Sequence, residues 1–168
     1  MARLLRRSIG GVVIDHDILR SGFLDSGIPF DLAAKHAYQL QWTLARDIIQ
    51  QGLNVIIDST CNFEEVLSQG SALATQYGYA YWYIECQVQD IELLDQRLRA
   101  RDAMMSQRTG VDCPPVGAHS TRADQQDFRA LFRKWIENPC RPEENAIIVD
   151  SRGNQESLRD YILKQIVS

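Results

Sequence analysis

Three observations predict a parallel α/β domain. Short β-branched runs alternate with longer stretches of helical periodicity, as strand–helix–strand units do. One run, Val55-Ile56-Ile57, has no polar interruption, which is expected of a strand covered on both faces. Polar residues recur just past the runs, at Asp15, Asp17, Asp58, Ser59, Asp150 and Ser151. Open parallel sheets bind their ligands there, beyond the carboxyl ends of the strands. The 168 residues suit one domain with a substantial core.

Taken in order, Leu4, Leu5 and Ile9 fit the tail of a helix that Gly10-Gly11 ends, and the first strand is expected at 12–15. A long helix follows over 31–51, capped by Asp31, ended by Gly52, with a stripe of Ala37, Leu40, Leu44 and Ile48. After the strand at 55–57, Asn62 and Glu65 resemble a capping box. The helix they open carries Phe63, Val66, Leu67, Gly70, Leu73, Ala74 and Tyr77, and Gly78 stops it. A third strand is expected at 81–86, then a helix capped by Asp90 with Ile91, Leu94 and Leu98 inward. The stretch 104–120 holds Gly110, Pro114, Pro115 and Gly117, shows no periodicity and is long for a connection, so it is a candidate lid. Thr121 and Asp124 open the next helix, with Phe128, Leu131, Phe132 and Trp135 inward. The last strand is placed at 146–149 and the final helix at 154–167.

A hydrophobic share of 45% and a charged share of 24% fit an ordinary globular chain. The net charge of -4 argues against general nucleic-acid binding. No apolar run approaches the ~20 residues of a membrane span. The four cysteines, Cys61, Cys86, Cys113 and Cys140, contain no C-x-x-C and are read as reduced thiols of a cytoplasmic protein, with no zinc site and no dithiol motif. The arginine-rich start, Arg3 to Arg7, reads as a helix end rather than a transit peptide.

The chemistry-bearing groups cluster in three places. If the first strand persists, Asp15 and Asp17 point the same way, and Asp17 is placed to accept a proton from a substrate hydroxyl. Arg20 is placed to grip an anion with its fork, while His16 reads as structural. Asp58, followed by Ser59 and Thr60, suits the water shell of Mg²⁺. Arg97, Arg99, Arg101 and Arg108 lie in or before the candidate lid, where cations would meet transferring phosphate oxygens. The aromatics around 79–83, with Trp42 and Trp135, read as packing residues.

In this order the chain resembles the P-loop kinase group of AAA-type ATP-binding domains that includes polynucleotide kinases, zeta-toxin-type kinases, chloramphenicol phosphotransferase and gluconate kinase. Asp17-Ile18-Leu19-Arg20 matches the group's Asp-x-x-Arg, and Ile56-Ile57-Asp58 its apolar-Asp signature. The resemblance implies a three-layer α/β/α parallel sheet of the P-loop NTPase type. It implies ATP and Mg²⁺ as cofactors and a hydroxyl of a small molecule or nucleic-acid end as substrate. Asp17, Arg101 and Arg108 are then catalytic, and Arg20 and Asp15 bind substrate. Asp58 (through water to Mg²⁺), Arg97 and Asp150 lie on the cofactor side.

The 168 residues contain no G-x-x-x-x-G-K-[ST], so the chain is expected to begin one strand late, without the group's central strand and phosphate loop. ATP binding is then expected to be weak or absent. Bared strand edges would favour self-association. Two other readings compete: a non-catalytic binding relative, and a phosphatase of the haloacid dehalogenase type using Asp15 and Asp17.

Overall fold

Gly10 adopts a left-handed backbone (φ 65°), which ends the first helix, α1 (Ala2–Ile9), and passes the chain directly into β1 (Gly11–Asp15). The computed structural model describes residues 1–118 and 127–167. The order continues with α2 (His16–Asp25), α3 (Phe30–Gln50), β2 (Asn54–Asp58), α4 (Glu64–Tyr77) and β3 (Tyr83–Gln87). Then come α5 (Ile91–Ala100), α6 (Phe128–Glu137), β4 (Ala146–Asp150) and α7 (Gln155–Ile166). The chain divides into two compact units. Unit 1 is Met1–Ile14, Leu44–Val88 and Pro139–Ser168, and unit 2 is Asp15–Thr43 and Gln89–Asn138.

Unit 1 holds the strands, which form two two-stranded sheets, β1 with β2 and β3 with β4. The second is parallel, in register from Tyr83 opposite Ala146 to Gln87 opposite Asp150. Along β4 the side chains alternate: Ile147 and Val149 are buried, and Ile148 is exposed. The buried pair joins Leu5 of α1 and Ile162 of α7 in one apolar cluster, with Ile56 of β2 and Ile84 of β3 packed around it. Full burial of Ile162 alone removes enough apolar surface to stabilise the unit by about 2–3 kcal/mol. Asn154 caps α7 by accepting from the Glu156 and Ser157 N–H groups.

Unit 2 is helical. Asp90 caps α5 through the Glu92 and Leu93 N–H groups, as the sequence predicts. Asp95 of α5 accepts from Arg99 Nε at 2.6 Å and from the Val111 N–H at 2.8 Å, which ties the 104–118 stretch to the helix. Arg129 of α6 pairs with Glu92 and Asp112. The 104–118 stretch forms turns around a bridge between Arg108 and Pro115, with Val111 fully buried. Gly117 sits where a Cβ would lie 3.0 Å from the Met105 carbonyl oxygen and 3.3 Å from Leu24.

The structure departs from the sequence-based elements at several points. The strand does not persist past Asp15, and α2 starts at His16 with Asp15 as its cap. The stripe of α3 is rotated: Ala33, Ala37, Gln41, Ala45 and Ile49 are buried, whereas Leu44 is exposed. The buried face recurs every fourth residue and is marked mostly by alanines, so leucines were not the inward signal. Asp31 lies in the first turn of α3 rather than capping it. Phe63, not Asn62, occupies the N-cap position of α4 and makes no side-chain cap. Val55, Ile56 and Ile57 are half-buried rather than covered on both faces, because β2 pairs with β1 alone among the described strands. The expected opening of α6 by Thr121 and Asp124 lies outside the described residues, as does the end of the candidate lid; Asp127 caps that helix instead.

Candidate functional site

The site gathers within unit 2, where β1 gives way to α2. Asp15 spends its Oδ1 on the Asp17 and Ile18 N–H groups, at 3.0 and 3.3 Å, which fixes the first turn of the helix. That turn aims Asp17 at the 104–118 stretch. Ser106 Oγ donates to Asp17 Oδ1 at 3.1 Å, and Gln107 Nε2 donates to Asp17 Oδ2 at 2.8 Å. Ser21, one turn along α2, accepts from the Ser106 N–H at 3.1 Å and shares a hydroxyl–hydroxyl bond with Ser106 at 3.0 Å. Ser21 and Ser106 are both buried, so these bonds are made in a water-poor setting. A carboxylate oxygen has two acceptor sites, so Asp17 keeps capacity to accept from a substrate hydroxyl.

Two guanidinium groups belong to this site, Arg20 beside the Asp17 carboxylate and Arg108 beside Arg20. Arg20 lies 4.0 Å above the Phe30 ring, and Arg108 lies 4.5 Å above Phe128 and 5.6 Å from Phe132. Burial lowers the pKa of Arg20 from its ordinary value, opposed by the nearby Asp17 carboxylate. Burial also lowers Arg108, the neighbouring Cys113 opposes this, and the positive charge of Arg20 adds to the lowering. Both guanidinium groups stay protonated. The shifts therefore report an arrangement of two like charges, partly stripped of water, that a bound anion would relieve. Arg108 Nη1 donates to the Cys113 carbonyl, while Arg20 Nε is buried with no hydrogen-bond partner among the described residues.

Other expected site residues fall elsewhere. Arg101 is the last residue of the α5 cap, has left the helix, and donates to the Arg108 carbonyl at 2.9 Å. It therefore does not continue a helical face with Arg97, which is exposed on α5. Asp58 and Asp150 belong to unit 1, at the ends of β2 and β4. Asp150 is bound by Arg152 Nε and Nη2, and it also accepts the Arg152 N–H. His16 is buried, bonded through Nδ1 to Gln41 at 3.1 Å and set against Tyr38, which fits its structural reading. Ser21, Ser106, Gln107 and Phe30 were not singled out in the sequence, and Phe128 and Phe132 were read only as inward-facing residues of their helix. The one signal for Ser106 and Gln107 was their place in the aperiodic stretch before Arg108.

Asp58, with the oxygens of Ser59 and Thr60 beside it, is a donor set that suits a hard cation held by one carboxylate and water. Among the described residues no group of three or more metal-binding side chains gathers. A triphosphate fits less well. Helix α1 begins without a side-chain cap, and the 168 residues supply no glycine-rich loop with a lysine to cradle phosphates. No described helix is long and apolar enough to cross a membrane.

A family model described as an AAA domain matches residues 1–113. The chain belongs to this AAA-domain family. Membership gives it P-loop kinase-like, nucleotide-binding character, and the mixed α/β structure with short parallel strand pairing agrees. The match runs through Asp17, Arg20, Asp58 and Arg108. No curated protein and no solved structure matches the chain.

Proposed function

We propose that this domain is an ATP-dependent phosphotransferase-like protein, of the kind that phosphorylates a hydroxyl of a small molecule or nucleic-acid end. Its unit 2 is the acceptor half-site, and its donor half-site is impaired in the 168-residue form. The observation that supports this reading is the Asp17 carboxylate, held by Ser106 and Gln107, with Arg20 beside it and Arg108 next to Arg20. Asp17 is the base for the acceptor hydroxyl, and Arg20 and Arg108 hold an anionic group of the acceptor. Arg101 supports the Arg108 backbone. Asp58, Arg97 and Asp150 are the donor-side residues, with Asp58 reaching Mg²⁺ through water.

The fold is read as a three-layer P-loop type lacking its central strand. The separate β1–β2 and β3–β4 pairs and the half-buried run of β2 support this. The strand edges without a partner among the described residues favour self-association, which sedimentation over a concentration series would reveal. The phosphatase reading is disfavoured because Asp15 and Asp17 do not share a strand, and Asp15 is committed to capping α2.

Calorimetry on the folded 168-residue chain tests the proposal, with ATP·Mg²⁺ as one titrant and a panel of hydroxyl-bearing anions (nucleoside monophosphates, sugar phosphates, sugar acids) as the other. The expected result is negligible ATP binding and measurable anion binding that Arg20→Ala weakens by about tenfold or more. Micromolar ATP binding would overturn the impaired donor site. A cooperatively melting protein that binds none of the anions would overturn the acceptor site and leave a non-catalytic interaction module.

A further inference from the structure

Gln107, next to Arg108 in the 104–118 stretch, is fixed through both its backbone and its side chain. Its N–H donates to the Met104 carbonyl at 2.9 Å, and its carbonyl accepts from the Val116 N–H at 2.9 Å. The Gly117 N–H donates to the Met105 carbonyl at 2.7 Å, which closes the turn around it. The side-chain amide then spans two groups. Its Oε1 accepts from the Met104 N–H at 3.2 Å, and its Nε2 donates to Asp17 Oδ2 at 2.8 Å. Turned end for end, the amide would set an oxygen against the carboxylate and an NH₂ against an N–H, so the surroundings allow one orientation. Ser106 alone does not orient Asp17, because its hydroxyl is divided between Asp17 Oδ1 and the Asp17 carbonyl, both at 3.1 Å. A carboxylate held at one oxygen still turns about that contact; held at both, its plane is set.

We propose that Gln107 is a positioning residue of this site: it sets the plane of the Asp17 carboxylate so that the remaining acceptor sites of the two oxygens meet a ligand hydroxyl. The inference rests on the acceptor-site reading above and adds the residue that makes Asp17 selective for hydroxyl-bearing ligands. Gln107 acts through Asp17 and touches no ligand itself. A bond of the same chemistry has no such role elsewhere in the chain. Gln51 Nε2 donates to Asp47 Oδ2 at 2.7 Å, but both side chains are exposed at one helix end. Water competes freely for that bond. Gln107 is half-buried and links the 104–118 stretch to α2, where water competes less and the amide holds its partner in place.

Calorimetry on the full chain tests this with anions paired by charge and carbon skeleton, one member hydroxylated and the other not. The pairs are glycerol phosphate with propyl phosphate, gluconate with hexanoate, and adenosine monophosphate with its dideoxy form. The unsubstituted protein should favour the hydroxylated member of at least one pair by about tenfold or more. Gln107→Met keeps the reach of the side chain and removes its donors. It should cut that preference to below about threefold while the hydroxyl-free member binds as before. A preference retained in Gln107→Met would overturn the inference and leave the acceptor site intact. An equal loss for both members, the mark of a purely structural role, would overturn it too. An unsubstituted protein that binds no member, or binds both members of every pair alike, would overturn the acceptor reading and this inference with it. The unsubstituted chain also supplies a check that needs no variant to fold. By NMR, the Gln107 Nε2 protons should exchange with water about tenfold or more slowly than those of Gln51. Equal exchange would remove the fixed amide and the inference.

Discussion

In unit 2 the carboxylate of Asp17 is held by two side-chain donors, with half-buried Arg20 beside it and Arg108 next in line, each on an aromatic platform. In unit 1 the strand-end carboxylates are exposed, and Asp150 is met by an equally exposed Arg152. Unit 1 is organised by apolar burial around Ile162 and Leu5, and unit 2 by a buried polar network around Ser106. Exposed ion pairs contribute little, whereas groups fixed in a dry setting are oriented before a ligand arrives. The comparison locates preorganisation in unit 2 and scaffolding in unit 1.

The strongest way to break that comparison is Ile162→Ala, which empties the centre of the unit 1 cluster. It should cost about 2–5 kcal/mol in urea unfolding. A loss below about 1 kcal/mol would remove the cluster as the support of unit 1. Next is Ser106→Ala. It deletes one of the two side-chain donors to Asp17 and the acceptor of the Ser21 hydroxyl proton, at a cost of about 1–3 kcal/mol. Unlike a purely structural change, it should also weaken anion binding measured by calorimetry on the folded protein. Asn154→Ala removes a cap in unit 1 and should cost about 1 kcal/mol with anion affinity unchanged. A change in affinity there would blur the division of labour.

The smallest effect concerns pH. Burial lowers the pKa of His16, opposed by its bond to Gln41 and by Asp17 and Asp15, while Arg20 adds to the lowering. The unfolded chain, with histidine near 6.5, then binds more protons than the folded one in the range below that value. Stability is therefore lost as pH falls through this region. His16→Gln should flatten the slope of unfolding free energy against pH between about 7 and 5.5, even if it lowers stability at the upper end. An unchanged slope would show that another group carries the acid sensitivity.

Much of the fold was legible because its punctuation is local. Gly10 and Gly78 end their helices in left-handed backbone, and Asp90 caps its own, all from short-range chemistry. The elements that escaped were set by neighbours. Helix α2 follows β1 without a loop, because the strand's last side chain also caps the helix, so no turn residue announces it. The inward face of α3 was only partly read: Ala37 is buried as expected, but its companions are Ala33, Gln41, Ala45 and Ile49 rather than leucines. In the candidate site, Asp17, Arg20 and Arg108 carry charge and stood out. Ser106 and Gln107 are common polar residues whose meaning comes only from the fold bringing them to Asp17.

The parallel pairing of β3 with β4 also imposes an order on synthesis. Tyr83–Gln87 leaves the ribosome well before Ala146–Asp150, and all of α5 and α6 is translated between them. Until then β3 has no described partner, and Ile147 and Val149 are not yet there to complete the cluster around Leu5. Non-local pairing of this kind is slow to form and leaves apolar edges bare while it waits. The nascent chain therefore passes through a window in which its second helical segment is complete but half of its sheet structure is not. That interval is when a holding chaperone would have the most apolar edge to protect.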